Sequence, residues 1–148
     1  MSYQKNNAYW GDLLAAGWTA TLVGGAPSTL YALATGGDPL EATRAAGAML
    51  LPASSGAKEL VLAAAVVHVC VSFFWAALLV RFLPRRRVIQ WAMAAATIVG
   101  LIDLRLIAPV FFPEVADLAL GPQMADHLMW GASLGWVLAR RRRIRRSQ

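Results

Sequence analysis

Four long apolar stretches constrain this chain more than any other feature of its sequence. They cover residues 13–35, 60–82, 88–108 and 123–139. Each is close to the roughly 20 residues that an α-helix needs to cross the hydrocarbon core of a bilayer. The sequence therefore predicts an all-α integral membrane protein, a four-transmembrane-helix bundle that forms one membrane domain over residues 1–148.

The composition favours lipid as the solvent of this domain. Hydrophobic residues make up 58% of the chain and charged residues only 15%, whereas soluble domains contain about 45–50% and about 25%. The lone Cys70 has no partner for a disulfide and offers no thiol pair for redox or zinc chemistry. No small-residue cleavage site ends the first apolar stretch, so we interpret it as a retained span and not as a signal peptide.

The basic residues predict the orientation of the bundle. If both termini are cytoplasmic, the cytoplasmic segments hold most of the 14 Lys and Arg residues: Lys5, Arg81, Arg85, Arg86, Arg87, Arg140, Arg141, Arg142, Arg143, Arg145 and Arg146. The outer segments hold only Arg44 and Lys58, while Arg105 lies at membrane depth. Such a bias sets the topology of membrane proteins. We interpret the tail, residues 140–148, as a cytoplasmic anchor.

The net charge of +6 raises the question of a partner. The basic residues of the chain occur in blocks beside apolar runs. This pattern disfavours nucleic acid and favours the lipid bilayer as the partner. Small residues recur at four-residue spacing in the third and fourth spans, at Ala92, Ala96 and Gly100 and at Gly131 and Gly135. Helices in lipid pack through such faces, so a membrane-protein partner or a homo-oligomer remains open.

Three local features lie within or between the four predicted spans. Gly24, Gly25 and Pro27 predict a kink in the first span. Asp38 before Pro39 is a good helix start, which predicts a short interfacial helix within residues 40–51. The proline-containing segment 109–122 is expected to be a loop with at most one helical turn.

Ionisable side chains within the spans are costly and usually face the bundle interior. The candidates for binding a proton or another cation are His68, Asp103, Asp126 and His127, with Ser72 and Arg105 as supporting polar residues. All of them lie in the outer half of the spans, and we expect no matching group in the cytoplasmic half.

Helical spacing predicts which of these side chains face inwards. Asp103 follows Gly100 by three residues, so it shares the packed face of the third span, whereas Arg105 lies about 200° round the helix and points elsewhere. Ser72 lies one turn after His68 on the same stripe of the second span.

Several alternatives remain open for this cluster. It is a hydrogen-bonded network that pins the helices together, or a site for a proton or a metal ion of unknown identity, or a haem site with His68 and His127 as ligands. Catalysis is disfavoured because Ser72 is the only nucleophile near a base. The sequence thus assigns no catalytic residue and no cofactor, and a non-catalytic accessory or assembly subunit of a larger membrane complex is the alternative function.

The order of these features resembles the YagU-type small bacterial inner-membrane proteins. The resemblance rests on the glycine-rich first span ending near Pro27, on His68 followed by Ser72, on the Phe82-Leu83-Pro84 span end, on the third span closing at Pro109 and Pro113, and on Asp126-His127-Leu128-Met129-Trp130 before the arginine-rich tail. In that family the carboxylate and the His of the last motif stand slightly further apart, and a His lies where this chain has the Asp103 region. The resemblance implies a multi-pass inner-membrane location and a part in acid or envelope stress, but no chemistry.

Overall fold

The chain folds into helices joined by short connections. The computed structural model describes residues 2–145 and 147, with side chains from residue 7 onwards, and this part of the chain contains no β-strand. The elements are α1 (Ser2–Gly24), α2 (Ala26–Thr35), α3 (Glu41–Gly47), α4 (Ala57–Phe82), α5 (Val88–Ile102), a π-helical turn (Asp103–Ile107), α6 (Ala108–Phe111), α7 (Pro113–Ala116) and α8 (Leu120–Ile144). The all-α prediction is confirmed.

The first apolar stretch is broken where its glycines and proline predicted a kink. α1 ends at Gly24 and α2 begins at Ala26, with Pro27 in its first turn. Proline is tolerated there because it lacks the N–H that a first turn leaves unpaired. α2 ends at Thr35 and is capped by Gly36, whose φ of 72° lies in the left-handed region that glycine adopts without steric cost.

The short helix predicted after Asp38 and Pro39 is present as α3. Asp38 accepts a hydrogen bond from the backbone N–H of Leu40 at 2.9 Å and pairs with Arg44. α3 lies on α4, where a Cβ on Gly47 would stand only 2.1 Å from the carbonyl oxygen of Leu60. The loop predicted for segment 109–122 was less accurate. This segment contains two short helices, and α8 already begins at Leu120.

A π-helical turn continues α5 and was not predicted. Its closing hydrogen bond runs from the N–H of Ala108 to the carbonyl of Asp103, five residues back. Pro109 explains the widening, because a proline ring in an α-helix clashes with the carbonyl four residues earlier, here that of Arg105. The wider turn keeps the helix going as far as Phe111.

α8 is the central element of the packing. It contacts α1, α2 and α5, while α4 packs against α1 and α3. Leu134 and Leu138 of α8 are fully buried. The small-residue faces predicted for the third and fourth spans meet, since a Cβ on Gly131 would lie 2.6 Å from the Cβ of Ala96 and 2.8 Å from the carbonyl oxygen of Ala92.

Two helical segments are long and apolar enough to cross a membrane. They are Ala57–Phe82 and Val88–Phe111, the second of which includes the π-helical turn, and no others were found within residues 2–145. They correspond to the second and third predicted spans. The other two predicted spans are helical, but α1 carries Asp12 and α8 carries Asp126 together with the basic residues of its last turns.

Candidate functional site

A cavity of about 400 Å³ lies among α1, α2, α3, α4, α5, the π-helical turn and α8. We call it the His/Asp cavity, because its lining includes all four predicted cation-binding residues, His68, Asp103, Asp126 and His127. These residues come from three helical segments that are far apart in sequence. The fold thus brings together the residues that the sequence analysis grouped.

His127 occupies the side of the cavity where α8 approaches α5. Its Nδ1 donates a hydrogen bond to the carbonyl of Gln123 at 2.9 Å, so the Nε2 of a neutral ring carries the lone pair. That Nε2 lies 3.6 Å from Oδ2 of Asp103, a separation beyond the range of a normal hydrogen bond. Gly100 makes room for the ring, since a Cβ there would lie 2.8 Å from its Cγ.

Asp126 of α8 bonds the backbone next to the break between α1 and α2. Its Oδ1 accepts a hydrogen bond from the backbone N–H of Ser28 at 2.9 Å. Ser28 lies in the first turn of α2, where backbone N–H groups have no partner within the helix. The helix break at Gly25 therefore creates a donor that a carboxylate from α8 satisfies.

His68 lies on the opposite wall of the cavity, on α4. Its Nε2 donates a hydrogen bond to the carbonyl of Thr21 at 2.8 Å, which leaves Nδ1 as the acceptor of a neutral ring. The residue is exposed, so one edge of the cavity is open at this imidazole.

Ser72 lines the cavity and has a hydrogen-bond partner that the sequence did not indicate. The indole N–H of Trp130 donates to the buried Ser72 hydroxyl at 3.2 Å and links α8 to α4. Arg105 is exposed and does not line the cavity, in agreement with its predicted position on the other face of the helix.

The described residues include no set of three His, Cys, Asp or Glu side chains close enough together to bind a metal ion. Each imidazole donates one N–H to a backbone carbonyl, at Thr21 and at Gln123. Metal-ligating histidines commonly make the same hydrogen bond, so the second nitrogen of each ring is the one available to a proton or a metal ion. In His127 this nitrogen faces the Asp103 carboxylate.

A second cavity, at the other end of α4, was not predicted. We call this cavity of about 680 Å³ the arginine cavity, since its lining includes Arg81, Arg85, Arg142 and Arg145 together with Asp12. His68 and Val80, which line the two cavities, are separated by about 18 Å along α4 at roughly 1.5 Å per residue.

Asp12, the residue before the first predicted span, is a buried ionisable group that was not among the candidate residues. Only 5% of this residue is exposed. It accepts hydrogen bonds from Arg141 at 2.8 Å and from Arg145 at 2.7 and 2.5 Å. Burial opposes ionisation of Asp12, but the hydrogen bonds from Arg145 and Arg141 outweigh it and lower its pKa below the usual range.

The contact between Asp12 and Arg141 depends on the preceding residue. A Cβ on Gly11 would lie 2.8 Å from Nη2 of Arg141. The sequence did carry a signal for this network, because an aspartate precedes the first span and an arginine block follows the last one.

Comparison of the chain with protein-family models, with curated proteins and with solved structures gave no match.

Proposed function

We propose that this chain is a four-span inner-membrane protein that binds a proton from the outer side at the His127–Asp103 pair and so senses external pH. The observation that carries the proposal is the 3.6 Å separation of His127 Nε2 and Asp103 Oδ2 within the His/Asp cavity. An imidazole next to a carboxylate changes charge within the physiological pH range.

Surface composition supports the membrane placement. Only 28% and 22% of the most apolar stretches of segments 57–82 and 88–111 are buried inside the molecule. The remaining apolar side chains need an apolar surrounding, since large exposed apolar surfaces are rare in soluble monomers. In this proposal α1 with α2 and α8 are the other two spans, because they pack between or beside these segments.

Aromatic and basic residues support an orientation in which the end of the bundle with the arginine cavity is cytoplasmic. Trp10, Trp91 and Trp136 are all more than half exposed, and they lie towards the end of the bundle that carries the arginine cavity. Indole rings prefer the membrane interface, and cytoplasmic segments are rich in Lys and Arg. The guanidinium of Arg140 lies over the Trp136 ring, 5.6 Å from its centroid. The His/Asp cavity then faces the outer side.

The chemistry of the site follows from the hydrogen bond that His127 already makes. Its Nδ1–H is held by the carbonyl of Gln123, so the next proton binds at Nε2 and turns the ring into a double donor. The new Nε2–H faces the Asp103 carboxylate, and a charge-assisted hydrogen bond is shorter than the present 3.6 Å. Protonation therefore draws the π-helical turn that begins at Asp103 towards α8.

The remaining polar groups fit this role. His68 lines the same cavity and joins α4 to α1 through its hydrogen bond to the carbonyl of Thr21. Asp126 holds the end of α2 through the N–H of Ser28, which ties the position of α8 to the broken first span. A part in acid or envelope stress, as the resemblance to YagU-type proteins implies, is consistent with such a sensor.

The chain contains two histidines, and this number permits a direct test. In protein labelled with ¹⁵N at His and reconstituted into nanodiscs, two sets of imidazole signals are expected, assigned with His68→Gln and His127→Gln. We expect the His127 signals to report protonation of Nε2 between about pH 5 and pH 8. In Asp103→Asn, His127 should bind the proton about tenfold less tightly, because the nearby carboxylate charge is lost.

Matched controls separate sensing from a purely structural cluster. Asp117→Asn removes a carboxylate that does not line the cavity and should leave the His127 titration unchanged. If His127 keeps one protonation state across this range, or if Asp103→Asn and Asp117→Asn titrate alike, the proposal is wrong.

A further inference from the structure

We infer that the arginine cavity binds a phosphate-bearing anion. Four guanidinium-bearing residues line it, Arg81, Arg85, Arg142 and Arg145, against a single carboxylate, that of Asp12. The inference concerns the end of the bundle remote from the His/Asp cavity and does not depend on proton binding there.

The charge balance of the cavity favours an anion. Asp12 is occupied by Arg141 and Arg145, so it neutralises little of the remaining positive charge. Arg81 and Arg85 form no ion pair with a carboxylate of the described residues. Guanidinium groups bind phosphate through paired N–H donors and remain charged at any physiological pH.

The fold places these side chains around one space. Arg81 lies in the last turn of α4, and Arg85 lies in the connection to α5. Arg142 reaches across from α8 and donates to the carbonyls of Val80 and Leu83 at 3.3 and 3.4 Å, which fixes the end of α4 against α8.

The size and the lining of the cavity indicate the kind of ligand. A volume of about 680 Å³ lies within the range of small-molecule sites, about 300–1,000 Å³. Apolar side chains of Ala8, Val80, Leu83 and Pro84 lie beside the arginines. In the proposed orientation this cavity lies at the cytoplasmic border of the bilayer, where basic pockets between helices bind anionic lipid head groups. A phosphate group is present both in lipid head groups and in soluble phosphate compounds, and the test below distinguishes these two sources.

The test uses the full chain in a neutral detergent and follows its thermal midpoint. The probes are phosphatidylglycerol, inorganic phosphate and, as the zwitterionic comparison, phosphatidylcholine. We expect phosphatidylglycerol to raise the midpoint in a saturable way. An equal rise with inorganic phosphate identifies free phosphate as sufficient, whereas a rise with phosphatidylglycerol alone identifies the lipid as the source.

A matched pair of variants locates the site. Arg81→Gln/Arg85→Gln removes two lining residues, and Arg86→Gln/Arg143→Gln removes the same charge from exposed residues outside the lining. The concentration for half-maximal stabilisation should rise about tenfold or more in the first variant and less than about twofold in the second. If the double variant fails to fold, Arg85→Gln against Arg86→Gln decides the question.

Three results would overturn the inference. They are equal weakening by both variants, which would indicate a diffuse positive field; equal stabilisation by the zwitterionic phosphatidylcholine; and no stabilisation by either anionic probe, phosphatidylglycerol or inorganic phosphate.

Discussion

The two cavities hold their carboxylates in opposite ways. In the arginine cavity, the Asp12 side chain is 6% exposed and is bonded by two arginines at 2.5 to 2.8 Å. In the His/Asp cavity, the Asp103 side chain is 30% exposed and its partner His127 stands 3.6 Å away. Arginine keeps its charge, whereas histidine gains and loses one near neutral pH. Asp12 therefore has partners that are always charged, whereas the partner of Asp103 is a group whose charge depends on pH.

The largest expected effect breaks the permanent pair. Asp12→Asn should lower the free energy of unfolding by about 3 kcal/mol, at the lower end for a buried charge pair because both arginines reach solvent. The measurement is denaturant unfolding in detergent at pH 7. Asp38→Asn removes the carboxylate of an exposed ion pair and serves as the control, for which a much smaller loss is expected. Equal losses would show that Asp12 has no special structural role.

The second largest effect tests the close packing of α5 on α8. Gly131→Ala should cost about 2 kcal/mol, because its Cβ would meet the carbonyl of Ala92 at 2.8 Å and neither helix backbone yields easily. Gly121→Ala, in the first turn of the same helix, meets nothing within 4 Å and should change the stability little. Thermal unfolding of both variants is the measurement, and a neutral Gly131→Ala would contradict the packing of α5 on α8.

A smaller effect concerns acid. The pKa of Asp12 is lowered in the folded chain, because the hydrogen bonds from Arg145 and Arg141 outweigh the effect of burial. Its stabilisation is thus complete above the unfolded value of about 3.9 and is lost as the pH falls through the folded pKa. The stability difference between the parent and Asp12→Asn should be constant from pH 7 to about pH 4 and shrink below it. A difference that vanishes already near pH 6 would contradict this assignment.

The smallest effect sharpens the role of the His/Asp cavity wall. Ser72→Ala leaves the Trp130 indole N–H without its partner and should cost about 1 kcal/mol. In Ser133→Ala the lost hydroxyl bonded only the carbonyl of Trp130 in its own helix, so the cost should be smaller. Thermal midpoints compare the two, and the reverse order would exclude the link between α8 and α4 as a source of stability.

Local patterns allowed much of the fold to be predicted from the sequence. The kink at Gly24 and Gly25, the short helix after Asp38 and the contact face around Gly131 each depend on residues close together in the chain. The convergence of His68 and His127 on one cavity also followed, because depth along a span and face of a helix are both set by residue spacing.

The contacts that were missed join residues distant in sequence. Asp12 and Arg141 are separated by nearly the whole chain, and hydropathy alone does not pair a span end with a particular arginine. The π-helical turn at Asp103 required the steric demand of Pro109 to be weighed against continued helix. The partner of Asp126 is a backbone group, whose availability depends on where α2 begins.

The hydrogen bond between Asp126 and the N–H of Ser28 has a consequence for how this protein varies. Every amino acid except proline supplies that backbone donor. A substitution at position 28 that fits its buried space therefore keeps this bond, although it changes the contacts of the Ser28 hydroxyl with Gly25 and Asp126. At position 126 the acceptor belongs to the side chain, so the bond is lost with any residue that has no oxygen there.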